Sequence, residues 1–298
     1  QYLFSVLSLV TSFCMVLGIV AFHRSIDDIV RVMYGISALS LALFISLNYF
    51  YRHVAFVKSN ALDFLGIFAR EKHRNSLVPH GKRILIFNWR DIKHVFAGGA
   101  EVYAHEIAKQ WIKDGHSVTL FCGNDGNCVR EEIVDGIRVI RRGGFYSVYV
   151  WALAYYAIRL RKSHDIIIDC QNGLPFFTPL YCRKSIFCLM HHVHQEVFLR
   201  ALSKPYAQFA CFLEKRFMPF VYRNIPFITV SESSKKDIVR MGLATAGITV
   251  AHPGIHVELL MKGQKTPFPS IVYLGRLKQY KSVDILIRAF DAVQKVIP

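Results

Sequence analysis

Two long apolar segments open the chain. Residues Tyr2–Phe22 and Val32–Tyr51 carry no charged side chain and are interrupted mainly by serine, threonine and asparagine. Each has about the 20 residues that a helix needs to cross the hydrocarbon core of a bilayer. The connector His23–Arg31 is short and charged, so the pattern predicts a transmembrane helical hairpin over residues 1–52. A signal peptide would explain only the first segment, and a buried helical hairpin is the alternative.

Basic residues follow the second apolar segment in excess. Asp63 and Glu71 are the acidic residues up to the first strand, and the basic ones are Arg52, Lys58, Arg70, Lys72, Arg74, Lys82 and Arg83. Since positive charge stays in the cytosol, we expect a membrane-anchored protein with the domain that follows on the cytoplasmic face. Residues 53–82 are expected to be a juxtamembrane linker. Within them, Val54–Arg70 has apolar residues at helical spacing, which fits an interfacial helix or a linker helix packed on the next domain.

From Arg83 onwards the pattern changes to short apolar runs separated by helical patterns. The strands are predicted at residues 83–88, 117–122, 137–142, 165–170, 185–190, 226–230 and 248–253, with helices at 100–114 and 148–161. Continuous apolar strands alternating with helices indicate a parallel sheet covered on both faces. The fold class is therefore α/β, with a Rossmann-like domain over residues 83–255. A truncated second Rossmann-like domain is expected over residues 256–298, with a strand at Ser270–Leu277 and a helix at Val283–Val296.

Composition excludes several classes of protein and of partner. The 298 residues are 53% hydrophobic and 19% charged, which excludes a disordered chain or a coiled-coil rod. The net charge of +16 favours anionic partners. Nucleic acid is not expected, because the basic residues are dispersed and form no stripe with aromatic residues. The seven cysteines are scattered without a CxxC pair, which is typical of reduced thiols rather than of disulfides or a zinc site.

The first strand-to-helix turn carries Gly98 and Gly99. It contains neither GxGxxG nor GxxxxGK[ST], so a dinucleotide dehydrogenase and a P-loop enzyme are disfavoured. Two glycines at the start of a helix let a ligand approach the backbone, where free N–H groups favour a phosphate or a sugar hydroxyl. A turn without a ligand role is the alternative. Glu101, just beyond, is expected to cap or salt-bridge this helix.

Four segments together resemble retaining family-4 glycosyltransferases of the GT-B fold. NWRDIKHVFAGGAEVYAHEIAKQW (residues 88–111) is similar to the opening loop and first helix, and TVSESSKKDIVRMG (229–242) to a serine-led helix. VAHPGI (250–255) resembles the interdomain turn, and VYLGRLKQYKSVDILIRAF (272–290) the start of the donor-binding domain. The matches come in the family's order and cover about residues 83–298. One departure is His256, where the family often has aspartate.

The resemblance implies sugar transfer from a nucleotide-diphosphate donor with retention of configuration, and with no metal or other cofactor. Arg276 and Lys281 match the basic pair that grips the donor diphosphate, where fixed cations stabilise the leaving group. The family's paired glutamates would lie beyond residue 298. We therefore expect residues 1–298 by themselves to be inactive.

Two further strand ends also carry candidate residues. His191 aligns with the family's histidine and is the catalytic candidate, because a neutral imidazole there can hydrogen-bond the sugar or the acceptor hydroxyl. His192 is an acceptor-cleft candidate beside it. Asn172 and Gly173 are acceptor-cleft candidates because they follow another strand end, and a plain turn is the alternative there. His192 and His194 fit structural roles too, and the three histidines leave zinc as an alternative that lacks an obvious further ligand.

These observations predict a glycosyltransferase whose partners are a sugar nucleotide, a lipid-linked or glycan acceptor, and the membrane. The alternative function is a membrane-anchored protein that binds nucleotides or lipid phosphates without turnover.

Overall fold

The computed structural model describes residues 2–22, 25–68, 81–201, 203–243, 246–255, 263–275, 277 and 281–296. The chain divides into two compact units, Gln1–Arg70 and Glu71–Pro298. The first unit consists of helices α1 (Tyr2–Ala21) and α2 (Ile26–Phe68), which pack against each other. They approach closely at Gly18, where an added Cβ would lie 2.7 Å from a methyl carbon of Val32.

One segment of this unit is a candidate membrane span. Among the described residues, Ile26–Leu47 of α2 is long and apolar enough to cross a bilayer, whereas the apolar segment Val10–Ala21 of α1 is shorter. The transmembrane hairpin therefore stays a prediction. Helix α2 continues without a break to Phe68, so most of the segment expected as a separate helix from Val54 is the end of α2. Residues 69–80 of the expected linker lie outside the described residues.

The second unit is built on an eight-stranded sheet. Its strands are β1 (Arg83–Phe87), β2 (Ser117–Cys122), β3 (Glu131–Val134), β4 (Ile137–Arg141), β5 (Ile166–Gln171), β6 (Ser185–Met190), β7 (Phe227–Thr229) and β8 (Ile248–Val250). The spatial order is β3-β4-β2-β1-β5-β6-β7-β8, and every neighbouring pair is parallel except β3 with β4. The order from β4 to β7 is that of the Rossmann fold, with its switch point between β1 and β5.

Helices cover both faces of the sheet. They are α3 (Gly99–Lys113), α4 (Val148–Tyr155), α5 (Gln195–Ala201), α6 (Lys204–Phe212), α7 (Met218–Val221) and α8 (Glu232–Arg240). A further helix, α9 (Val283–Gln294), has no buried residue. A π-helical turn, Tyr156–Leu160, extends α4, and another, Leu213–Phe217, joins α6 to α7. Ala104 and Ala108 of α3 pack on one face with alternate side chains of β1 and β2. These small residues let the helix lie close to the sheet.

The helices after β4 and after β6 cover the opposite face. Phe87, Phe121 and Asp169 are register neighbours on adjacent strands, so they share one face of the sheet. Tyr155 of α4 packs on Phe121 with 5.5 Å between ring centroids. Tyr222, directly after α7, donates a hydrogen bond to the buried Asp169 carboxylate. Both helical segments therefore lie on the same side of the sheet.

The structure corrects the sequence analysis at three places. Strand β3 was not expected, although Asp135-Gly136 forms the tight turn of a hairpin, with φ of 49° and 83° at its two residues. Helices α5 to α7 occupy residues for which no element was predicted. The strand expected at Ser270–Leu277 is wrong, because residues 270–275 and 277 are in no regular structure. None of the described strands pairs with this segment, and an apolar run needs a partner strand to satisfy its backbone.

Burial of His164 predicts acid sensitivity of the fold. This side chain is 1% exposed, and burial lowers its pKa to about 4, with smaller effects from nearby charges. The unfolded chain binds the proton near pH 6.5, so the free energy of unfolding falls as the pH drops from about 6.5 to about 4. We expect His164→Gln to remove about 2 kcal/mol of the stability difference between pH 7 and pH 5, measured by urea unfolding. An unchanged difference would contradict this assignment.

Candidate active site

The loops that follow β1, β5 and β6 meet at the carboxyl edge of the sheet. These three strands are adjacent and parallel, so their carboxyl ends lie side by side. Connections leave β1 and β5 in opposite directions, and this divergence opens a crevice at the edge. The predicted candidates Gly98, Asn172 and His191 belong to these three loops or to the helix that follows the first.

Glu101 of α3 ties two of the loops together. Its carboxylate is buried and accepts a hydrogen bond from the backbone N–H of Gly98 at 2.7 Å, which caps the helix as expected. It also accepts from Arg90 Nε at 3.2 Å and from the side-chain amide of Asn172. A buried carboxylate needs such partners. Glu101 thus fixes the loops after β1 and β5 to the start of α3.

The start of α3 is open to solvent at Gly99. Gly98 is the N-cap residue in extended conformation, and Gly99 is the first helical residue. A Cβ added at Gly99 would meet no described atom within 4 Å, so nothing in the described fold requires glycine for packing. Backbone amides at a helix N-terminus point outward and attract anions. The position has the properties of a backbone ligand site.

Asn172 and Gly173 have local structural roles, and their place in an acceptor cleft stays a prediction. The Asn172 amide nitrogen is committed to Glu101, so this side chain braces the crevice. Gly173 has φ of 123°, a conformation that side chains rarely adopt, and a Cβ there would meet no described atom within 4 Å. The backbone turn at Gly173 thus requires glycine whether or not a ligand approaches it.

His191 lies beside α3. Its ring packs edge to face on Tyr103, with 5.3 Å between centroids, and Tyr103 donates a hydrogen bond to the Ala251 carbonyl at 2.9 Å. The His191 carbonyl accepts from Ser234 Oγ of α8 at 2.7 Å. Burial, with a smaller effect of His194, lowers the pKa of His191 to about 4. At neutral pH the ring is therefore a neutral hydrogen-bonding group.

His192 lies beside a second histidine and is influenced by the charge of a lysine. Its ring is 4.1 Å from that of His194, centroid to centroid. Burial lowers the pKa of His192, and the charges of His194, His191 and Lys281 lower it further. Lys281, one of the predicted diphosphate ligands, is thus within electrostatic reach of the loop of residues 191–194 after β6, which we call the histidine loop. Arg276, the other, lies outside the described residues.

Glu214 holds the histidine loop in place through a hydrogen bond to its backbone. It belongs to the π-helical turn, is fully buried, and its Oε1 accepts from the His194 backbone N–H at 2.8 Å. The same oxygen accepts from Gln171 Nε2 at the end of β5, at 3.1 Å. The other carboxylate oxygen has no hydrogen-bond partner among the described residues. One carboxylate therefore joins the loop after β6 to the neighbouring strand.

Sequence reasoning missed Tyr103 and Glu214. Tyr103 falls outside the apolar stripe of α3, so periodicity gives no sign that it faces a histidine far along the chain. Glu214 stands between Leu213 and Lys215, in a pattern typical of an exposed position. Its place four residues from Ala210 and four from Met218, both buried, is the signal that could have found it. As to the zinc alternative, the described residues contain no group of three His, Cys, Asp or Glu side chains arranged to hold a metal.

The fold and the crevice define a GT-B-like α/β protein with a parallel sheet. Residues 97–259 match the family model of Glycosyltransferase Family 4, a stretch that contains the two-glycine turn and the histidine loop. The match covers more than half of the chain, which therefore belongs to glycosyltransferase family 4. None of the curated proteins matches the chain in sequence.

A solved structure shares the fold. Sucrose-phosphate synthase from Thermosynechococcus elongatus superimposes with a TM-score of 0.55 at 15% sequence identity, over 70% of this chain and 59% of that one. The chain thus spans about three-fifths of the length of that relative, and the likeness shows the fold alone. A second structure of that synthase, from a twinned crystal, gives a TM-score of 0.39 at 13% identity, over 59% of this chain and 92% of that chain. That second likeness carries no argument.

The role of Glu214 can be tested at the loop that it holds. Glu214→Leu removes the acceptor of two hydrogen bonds and should cost about 3 kcal/mol of stability. We expect much faster hydrogen exchange at the His194 amide, measured in peptides from residues 190–198. Glu214→Gln should have a smaller effect, because its amide oxygen still accepts. Glu196→Gln is the matched control, because Glu196 is an exposed residue of α5. Equal exchange rates of the His194 amide in all variants would disprove the role of Glu214.

Proposed function

We propose that the protein transfers a sugar from a nucleotide-diphosphate donor to a membrane-associated or glycan acceptor, with retention of anomeric configuration. Membership of glycosyltransferase family 4 supports glycosyl transfer. The observation that carries the assignment to this crevice is the proximity of an open helix N-terminus to a neutral histidine. Gly99 begins α3, and His191 packs on Tyr103, four residues further along the same helix.

In this proposal different residues act on the leaving group and on the sugar. When the anomeric carbon–oxygen bond breaks, negative charge develops on the departing diphosphate, and Lys281 with Arg276 would stabilise it. The amides at Gly98 and Gly99 would bind a phosphate oxygen or a sugar hydroxyl. Because His191 is neutral, it would hydrogen-bond the sugar or the acceptor without repelling positive charge on the sugar ring. No step in this scheme needs a metal.

Attachment to a membrane is a further part of the proposal. The segment Ile26–Leu47 supports it by length and hydropathy. The excess of basic residues between Arg52 and Arg83 favours a cytoplasmic catalytic domain, where nucleotide sugars are made. A lipid-linked acceptor would be accessible to an enzyme held at the bilayer surface.

Gly99→Ala tests the backbone site without disturbing the fold. Alanine is a better helix former than glycine and meets no described atom, so stability should be unchanged or slightly higher. A Cβ in the ligand path should nevertheless lower kcat/KM by roughly tenfold or more, corresponding to about 1.4 kcal/mol. The assay is sugar transfer by the protein expressed from its complete reading frame, with thermal unfolding measured in parallel.

Gly263→Ala is the control for this substitution, since an added Cβ meets no described atom there either. Full activity of Gly99→Ala would remove the backbone site from the mechanism. Binding of a sugar nucleotide without any transfer in the unmodified protein would favour the alternative, a binding protein without turnover.

The role of His191 predicts a kinetic signature. His191→Ala should lower kcat by about 100-fold while changing KM less, because the lost contact serves the transition state. His116→Gln, at the amino-terminal end of β2, should leave both constants near the wild-type values. Activity should also persist in EDTA. Strict dependence on a divalent metal would contradict the scheme and favour metal-assisted transfer.

A further inference from the structure

The helices between β6 and β7 expose aromatic side chains on the side facing away from the sheet. Ala207, Ala210, Glu214 and Met218 form the buried side of α6, the π-helical turn and α7. On the opposite side Phe209, Phe212 and Phe220 are 61%, 56% and 80% exposed. Their spacing places them along one outward stripe of the helix. We call Phe209, Phe212 and Phe220 the aromatic face.

Helix α4, with the turn before it and the π-helical turn after it, exposes a second apolar stripe on the same side of the sheet. Tyr146, Val150 and Leu153 are exposed at helical spacing, and Ile158 follows in the π-helical turn. Because α4 and α7 both cover the sheet face that carries Phe121 and Asp169, the two stripes belong to one side of the domain. Large apolar exposure of this kind marks an interaction surface in a folded protein.

The charges around the aromatic face are nearly all positive. Lys204, Lys215 and Arg216 are exposed on α6 and the π-helical turn. Between residues 195 and 223 the acidic residues are Glu196 and Glu214, and Glu214 is buried. Arg161 and Lys162, both exposed, follow the stripe on α4. A partner that fits this surface is therefore apolar at its centre and anionic around it.

We propose that the aromatic face rests in the interfacial region of a lipid bilayer that contains anionic lipid. Aromatic residues favour the level of the headgroups, where the ring is partly immersed, and lysine and arginine bind the negative surface of the leaflet. A protein partner would cover the apolar stripe as well, but a partner that is apolar at its centre and anionic around it is what a bilayer with anionic lipid provides. The same chain also carries Ile26–Leu47, long and apolar enough to span one. This contact is a second membrane contact, made by the α/β domain itself, and it does not depend on the proposed reaction.

Site-specific photocrosslinking distinguishes this contact from insertion of the N-terminal helices. The full chain would be placed in lipid nanodiscs, with p-benzoylphenylalanine introduced in separate variants as Phe212→p-benzoylphenylalanine and Phe220→p-benzoylphenylalanine. Phe268, 62% exposed in the segment 263–275, takes the same substitution as the matched control. The discs contain phosphatidylcholine alone or mixed with phosphatidylglycerol. Lipid adducts are quantified by mass spectrometry, and thermal unfolding verifies that each variant is folded.

We expect abundant lipid adducts at Phe212 and Phe220 and few at Phe268. The paired change Lys215→Glu and Arg216→Glu should lower the adduct yield in discs with phosphatidylglycerol, by roughly fivefold for each cation removed. Lys215→Gln with Arg216→Gln should act in the same direction. Yields at Phe212 and Phe220 no higher than at Phe268, or adducts to protein instead of lipid, would overturn the proposal. Adducts insensitive to lipid charge would overturn its anionic part.

Discussion

The buried carboxylate of Glu101 is the interaction on which the crevice depends. A parallel sheet brings the carboxyl ends of its strands to one edge, but it leaves the loops beyond them free to diverge. Glu101 accepts hydrogen bonds from Gly98, Arg90 and Asn172, and so holds the turn before α3 and the loops after β1 and β5 in one arrangement. Removing one partner would leave a desolvated charge or a buried donor unpaired, which makes the arrangement cooperative.

A second carboxylate performs the equivalent task for the histidine loop. Glu214 joins the His194 backbone to Gln171, and the histidine rings above it are held in partly desolvated positions. Desolvation disfavours the charged imidazole, which is why the pKa of His191 lies near 4. The crevice therefore combines the neutral His191 with the open amides at the start of α3, and Lys281 lies within electrostatic reach of His192.

The helical segment between β6 and β7 links this site to the outer surface of the domain. On one side of that segment Glu214 holds the histidine loop, and on the other side Phe212 and Phe220 are exposed. Both are possible because Ala210, Glu214 and Met218 recur every four residues and share the inward side, whereas Phe212 and Phe220 lie on the other. In our proposal the outward side rests on the membrane. The segment then connects the bilayer surface to the site through one short stretch of chain.

The sequence by itself determined the strands from β1 to β8 other than β3, because continuous apolar runs bounded by glycine and polar turns have few other solutions. The order of four segments, at residues 88–111, 229–242, 250–255 and 272–290, also sufficed to indicate the family. Tertiary structure alone decided that Asn172 braces Glu101, that Tyr103 meets His191, and that Glu214 binds the His194 backbone. These contacts join residues 71, 88 and 20 positions apart, and periodicity reports only on neighbours within a few turns of a helix or residues of a strand. The failed strand at Ser270–Leu277 has the same cause: an apolar pattern specifies a strand only where another strand is present to accept its hydrogen bonds.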